Sequence, residues 1–140
     1  MASIGVIGAG TWGTALAVLL HNNGHQTAIW SALPEEIEEM TKTRRHKNLP
    51  EITIPEEIFL TADLEEAMAC KDVLIMAVPS VFVRSTAARM KPFLKKGQLV
   101  VDVAKGIEEG TLKTLSQVIE EELPEAETAI LSGPRHAEEV

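Results

Sequence analysis

Gly8-Ala9-Gly10-Thr11-Trp12-Gly13 follows the apolar run Ser3-Ile4-Gly5-Val6-Ile7 and precedes residues 14–21, where Leu16, Leu19 and Leu20 recur at helical spacing. A strand, a glycine turn and a helix in that order match the dinucleotide-binding fingerprint. Each glycine has its own task in that chemistry. Gly8 makes the tight turn, Gly10 lets a pyrophosphate approach a backbone that carries no Cβ, and Gly13 lets the helix pack close to the sheet. The helix start then offers unpaired N–H groups and a partial positive charge to the phosphates. The alternative is a tight strand-to-helix turn with no ligand; the placement of the hexapeptide between these two elements favours the ligand.

Outward from this turn, strand-like and helix-like segments alternate without internal repeats. Asn22-Asn23-Gly24 stops the first helix, because glycine takes the left-handed conformation past a helix end without strain. Gln26-Thr27-Ala28-Ile29-Trp30 reads as a second strand. Pro34 opens a second helix, with Ile37 and Met40 on one face and four glutamates between Glu35 and Glu39 on the other. Residues 42–50 are polar and basic, and Ile52-Thr53-Ile54 reads as a short strand or an extended loop between Pro50 and Pro55. Thr61-Ala62-Asp63 leads into a short helix ending near Cys70. The nearly continuous apolar run from Asp72 to Val78 is that of a strand buried on both faces, as in a parallel sheet. Residues 81–90 read as a helix, 99–103 as a strand, 111–123 as a helix stopped by Pro124, and 128–131 as a last strand. This rhythm predicts an α/β domain over residues 1–140: a Rossmann-type, doubly wound, mostly parallel sheet with helices on both faces and strand order 3-2-1-4-5-6.

Composition narrows the partners. With 45% hydrophobic and 24% charged residues over 140 positions, the chain is ordinary for a globular protein with one sizeable core. The 13 Lys and Arg against 21 Asp and Glu give a formal charge of −8, which repels a nucleic-acid backbone. No apolar run approaches the roughly 20 residues that cross a bilayer, and Met1-Ala2-Ser3-Ile4-Gly5 lacks the basic start of a signal peptide. The lone Cys70 forms no internal disulfide and fits a reducing compartment, so a cytoplasmic location is expected. The four histidines (His21, His25, His46 and His136) have no ligand spacing, so no metal site is expected.

Ligands of open parallel sheets sit outside the carboxyl ends of the strands. Pro79-Ser80, Ala104-Lys105-Gly106 and Ser132-Gly133-Pro134-Arg135-His136 follow successive strands and should share one edge with the glycine turn. Lys105 stands there as a cation between small residues, either facing the cleft or as an ordinary surface lysine. The second strand ends Trp30-Ser31-Ala32, with neither the acid that accepts from an adenosine ribose nor an arginine for a 2′-phosphate. Glu35 and Glu36 read as a solvated helix face near the positive dipole end. Arg44 and Arg45 read as part of an exposed basic loop, or as a 2′-phosphate contact if that loop folds back.

The segment from Gly8 to Ala17 resembles the opening of bacterial NAD(P)-dependent glycerol-3-phosphate dehydrogenases. Ala77-Val78-Pro79-Ser80, Lys105-Gly106-Ile107-Glu108 and Leu131-Ser132-Gly133-Pro134 with Ala137-Glu138-Glu139-Val140 continue the likeness in the same order, and Asn48-Leu49-Pro50 resembles a shortened Leu-Pro segment of that family. The resemblance implies interconversion of dihydroxyacetone phosphate and glycerol 3-phosphate with NAD or NADP, in the service of phospholipid synthesis. It implies that Thr11 and Trp12 contact the dinucleotide, Lys105 both cofactor and substrate, Gly133 the substrate and Ala137 the cofactor. Ala32 departs from the Arg or His that such enzymes use for the adenosine phosphate. Arg135 departs from a small hydroxyl residue; it would either pair bidentately with a substrate phosphate or block the site. The family's second, helical domain carries the proton-transfer lysine, so no catalytic residue is expected in this chain, and a homodimer of the full-length enzyme is compatible with the resemblance. Ala137-Glu138-Glu139 after Pro134 reads as the first turn of a helix, as in a cofactor domain cut from a longer enzyme. Two alternatives stand beside this reading. One is the cofactor domain of another 6-phosphogluconate dehydrogenase-like enzyme acting on a different 2-hydroxy acid, which the Lys105–Glu108 block disfavours; the other is a free-standing nucleotide-binding module.

Overall fold

The computed structural model describes residues 2–104 and 106–130; Lys105, Gly133, Arg135 and Ala137 are outside them. The elements are β1 (Ser3–Ile7), α1 (Thr11–Asn22), β2 (Gln26–Trp30), α2 (Pro34–Thr43), β3 (Arg45–His46), β4 (Leu49–Thr53), β5 (Phe59–Thr61), α3 (Leu64–Met68), β6 (Val73–Met76), α4 (Val83–Met90), β7 (Leu99–Asp102), α5 (Leu115–Glu122) and β8 (Glu127–Ile130). Six strands form one parallel sheet in the order β5-β2-β1-β6-β7-β8. Counted along the chain within that sheet, this is the expected 3-2-1-4-5-6.

The period-two alternation of strands divides the core into two halves. Ile4 and Val6 of β1 and Ile75 of β6 face Leu16 and Ala17 of α1 and Ile37 of α2. Ile7, Leu74 and Met76 point the other way, onto α3, α4 and α5. Gly5 lies on this second face, where α3 comes so close that a Cβ would meet the Ala67 carbonyl oxygen at 2.6 Å. Glycine inside a strand marks such a close approach of two backbones.

Four expectations are corrected. The first helix begins at Thr11 rather than residue 14, since Thr14 N–H already donates to the Gly10 carbonyl at 2.9 Å. The second half of the glycine motif is therefore the first helical turn. The third strand of the sheet is β5, at residues 59–61, a stretch not read as a strand from the sequence, while Ile52-Thr53-Ile54, read as a short strand or an extended loop, lies outside the sheet. That stretch contributes to β4, which pairs antiparallel with β3 in a separate two-stranded hairpin, so the basic segment is only partly an exposed loop. Finally, α5 starts at Leu115 and not at Thr111. Thr114 and Gln117 form a reciprocal capping box, the Thr114 hydroxyl accepting from Gln117 N–H at 3.3 Å and Gln117 Oε1 accepting from Thr114 N–H at 2.9 Å. Leu112 sits at φ 62°, which excludes a helix running through from Thr111.

Candidate cofactor site

The three glycines of the turn separate into two kinds. Gly8 has φ 130°, donates its N–H to the Trp30 carbonyl at 2.9 Å, and would place a Cβ 2.7 Å from the Ala77 carbonyl carbon. A Cβ on Gly13 would lie 2.5 Å from the Gly8 carbonyl oxygen. Both are demanded by the fold: the chain leaving β1 runs close against the chain leaving the adjacent β6 at Gly8, and α1 packs back on the turn at Gly13. Gly10 is different. Its backbone is extended, with φ −70° and ψ −177°, and a Cβ there would meet nothing within 4 Å. Nothing in the described chain requires glycine at this position, and the space it leaves lies at the N-terminus of a 12-residue helix that no side chain caps.

Beside this turn a cleft of about 320 Å³ is lined by Trp12, residues 77–80, Val103 and Ala104. The motif and the ends of β6 and β7 thus converge as the sequence predicts. Trp12 Nε1 is buried and has no hydrogen-bond partner among the described residues. A buried donor without an acceptor is uncommon in a folded protein, and a ligand acceptor is one physical reason for it. An open Gly10, an uncapped helix start and an unpartnered indole donor all suit a dinucleotide. Among the described residues no cluster of His, Cys, Asp or Glu could hold a metal ion, and no helix is long and apolar enough to cross a membrane.

Two further elements hold the site. Asp102, buried at the end of β7, accepts the Ala104 N–H at 2.9 Å and shapes the exit toward residue 105. The following loop is tied down by Arg84 of α4, which grips Glu108 with two hydrogen bonds of 2.7 and 2.9 Å and also reaches Glu121 and Glu122 of α5. Paired N–H donors on one carboxylate give geometric as well as electrostatic definition. Sequence reasoning did not find this cluster, because its four members come from three separate segments.

The Arg84 guanidinium, and then the Thr111 hydroxyl, hold the Glu108 carboxyl down at about 2. A group whose folded pKa is depressed contributes stability that is complete above its ordinary value and lost as pH falls through the folded one. The tether should therefore weaken between the ordinary value of 4.5 and about 2. Urea midpoints measured across that window should fall more steeply for the wild type than for Glu108→Gln; parallel curves would show that the pair adds nothing to stability.

The ribose end of the site is less supplied with charge. Ser31 is buried with its hydroxyl accepting from Leu33 N–H at 3.1 Å, and Ala32 is exposed. Arg44 is committed elsewhere: one guanidinium nitrogen donates to the Pro55 and Ile58 carbonyls at 3.1 and 2.9 Å. Arg45 donates to the Pro50 carbonyl at 2.8 Å across the hairpin and is otherwise exposed. The residue that sequence reasoning undervalued is His46. It is 6% exposed and its Nε2 stands 3.0 Å from the Ala9 carbonyl oxygen inside the glycine turn.

Fold and site together define a dinucleotide-binding α/β domain. The family described as the N-terminus of NAD-dependent glycerol-3-phosphate dehydrogenase matches residues 3–140, and the chain belongs to that family. It is 52% identical to the glycerol-3-phosphate dehydrogenase [NAD(P)+] of Agathobacter rectalis and 53% identical to one from Lactobacillus delbrueckii, each across 100% of this chain. It spans only 42% and 43% of those proteins. The crystal structure of glycerol-3-phosphate dehydrogenase from Coxiella burnetii superposes with a TM-score of 0.90 at 29% identity, over 99% of this chain and 42% of that one. A ketopantoate reductase from Ralstonia eutropha shares the fold at a TM-score of 0.73 and 23% identity, with 96% of this chain and 45% of that one covered.

Proposed function

We propose that residues 1–140 are the coenzyme-binding part of an NAD(P)-dependent glycerol-3-phosphate dehydrogenase, which interconverts dihydroxyacetone phosphate and sn-glycerol 3-phosphate in the cytoplasm and supplies phospholipid synthesis. The observation that carries the binding site is Gly10, whose missing side chain answers to no neighbour among the described residues. The pyrophosphate lies on the start of α1 against Gly10, Thr11 and Trp12, with Gly8 and Gly13 shaping the turn. The nicotinamide faces the cleft at the ends of β6 and β7. When bound, it supplies or accepts a hydride. Lys105 and Ala137 would complete the cofactor contacts, and Lys105, Gly133 and Arg135 would meet the phosphorylated substrate; these assignments rest on the family motifs they occupy. Calorimetric titration of the chain with NADH and NADPH tests the reading, and an absence of heat with either would overturn it.

Cofactor discrimination should be weak, because the exposed Ala32 provides neither a carboxylate to repel a 2′-phosphate nor a cation to hold one. Ala32→Arg should favour NADPH by a charge-assisted hydrogen bond, roughly 1.5–3 kcal/mol. If the unaltered chain already prefers one cofactor by more than about a hundredfold, another residue reads the ribose. Arg45 is then the first to replace, since the Arg44 guanidinium is held by two carbonyls.

A further inference from the structure

His46 is buried in the hairpin, and both of its ring nitrogens are engaged. Nδ1 accepts the backbone N–H of Asn48 at 3.0 Å. A neutral imidazole with an acceptor at Nδ1 carries its proton on Nε2, so the 3.0 Å contact with Ala9 is a bond donated by Nε2–H to the carbonyl. The Thr14 hydroxyl donates to the same oxygen at 3.2 Å. The Ala9 carbonyl is thus held from two sides, by α1 and by a hairpin 37 residues away. The peptide between Ala9 and Gly10 is planar and trans. Holding its oxygen therefore also sets the direction of the Gly10 N–H on the opposite edge, which belongs to the uncapped start of α1.

The hairpin has few other ties to the nucleotide edge. β3 and β4 pair with each other and not with the main sheet. Near the tip, Asn48 Nδ2 stands 3.5 Å from the Thr11 hydroxyl. Satisfying the Ala9 carbonyl does not need His46, because the Thr14 hydroxyl is already there. A second, imidazole donor restrains the peptide plane.

We propose that His46 is a positioning residue for the coenzyme: through the Ala9 carbonyl it holds the 9–10 peptide in the orientation that presents Gly10 N–H to the pyrophosphate, and it touches no part of the coenzyme itself. The proposal rests on the assignment of the coenzyme to the glycine turn. Pre-organised donors bind more tightly than donors that must be ordered on binding, because the ordering cost is met in folding.

The test is calorimetric binding of NADH and ADP to the wild type, His46→Leu, His46→Gln and Gly10→Val, with melting temperatures and backbone amide spectra of each. His46→Leu should bind both ligands about tenfold or more weakly, the scale of one lost hydrogen-bond alignment. His46→Gln, whose carboxamide can donate to Ala9, should recover to within about threefold of the wild type. The Gly10 amide resonance should move in His46→Leu and return toward its wild-type position in His46→Gln. A purely structural histidine would lower the melting temperature and leave the Gly10 amide and the affinities of the folded protein in place. In the wild type, a long-range nitrogen–proton spectrum of the ring at neutral pH should show the proton on Nε2; a proton on Nδ1 overturns the proposal even if His46→Leu fails to fold. No binding by the wild type sinks the coenzyme assignment and this proposal together. Binding lost in Gly10→Val but undiminished in His46→Leu sinks this proposal alone.

Discussion

Gly10→Val should remove dinucleotide binding while leaving the protein folded, whereas Gly8→Ala should act first on the stability of the fold. At Gly10 a Cβ meets no described residue within 4 Å and the backbone is in an ordinary extended region. The cost to stability is then that of a poorer N-cap, about 1 kcal/mol. The cost to binding is larger. A branched side chain holds the pyrophosphate away from the helix start and forfeits charge-assisted hydrogen bonds of roughly 1.5–3 kcal/mol each. Two such bonds correspond to a loss of at least about a hundredfold in affinity. At Gly8, a Cβ would stand 2.7 Å from the Ala77 backbone at a φ of 130°, so Gly8→Ala forces β1 and β6 apart and costs on the order of 2–4 kcal/mol. Denaturant midpoints and calorimetric titration of the two variants separate the effects. Equal affinity of wild type and Gly10→Val for NADH would remove the pyrophosphate from this turn.

The legible parts of the fold are those where local pattern and tertiary role agree. Residues 73–76 are apolar without alternation because β6 is covered on both faces, and that run marks the centre of the sheet in the sequence. Gln26–Trp30 is bounded by Gly24 on one side and by Pro34 soon after, and is found to the residue. The errors fall where a pattern is short or has a rival. β5 has only three residues and follows Pro55-Glu56-Glu57, so its pairing with β2 comes from tertiary contact that no local periodicity announces. At α5 the threonines at 111 and 114 compete as helix starts, and Gln117 three residues on decides for the second. A stricter search for the capping box would have placed that boundary.

The same division holds for the site. The glycine turn is readable because its chemistry is compressed into six consecutive residues, whose three glycines each have a distinct task. What escapes is whatever reaches the turn from a distance. His46 sits in a basic stretch whose ordinary fate is solvation, and only the hairpin carries it back to Ala9. Arg84 meets Glu108, Glu121 and Glu122 across three segments, and no spacing rule connects them. Arg44 shows the converse error: a guanidinium that looks free for a phosphate is occupied by backbone carbonyls at the base of the hairpin.

Residues 1–140 should bind NADH and yet oxidise it with dihydroxyacetone phosphate at a rate far below that of a full-length relative. Reduction of a carbonyl needs a hydride, a proton delivered to the carbonyl oxygen, and groups that hold the phosphate. Among the described residues lining the cleft, only the Ser80 hydroxyl and the Trp12 indole carry a hydrogen on a polar side-chain atom, and neither is a ready acid. Lys105 is expected beside them, but the family resemblance gives it a binding role and places the proton-transfer lysine in the helical domain. A positioned acid contributes typically 10²–10⁴-fold, and an incomplete site forfeits much of the positioning term as well. The proposed binding site consists of the glycine turn and the start of α1, both of which are built here, so affinity should survive where turnover does not. The comparison is NADH oxidation by this chain and by the whole Agathobacter rectalis protein, of which the chain matches 42%. Turnover within about tenfold of that protein, well inside the contribution of one positioned acid, would place the proton donor within residues 1–140. Lys105→Met and His136→Gln would then decide between the two candidates.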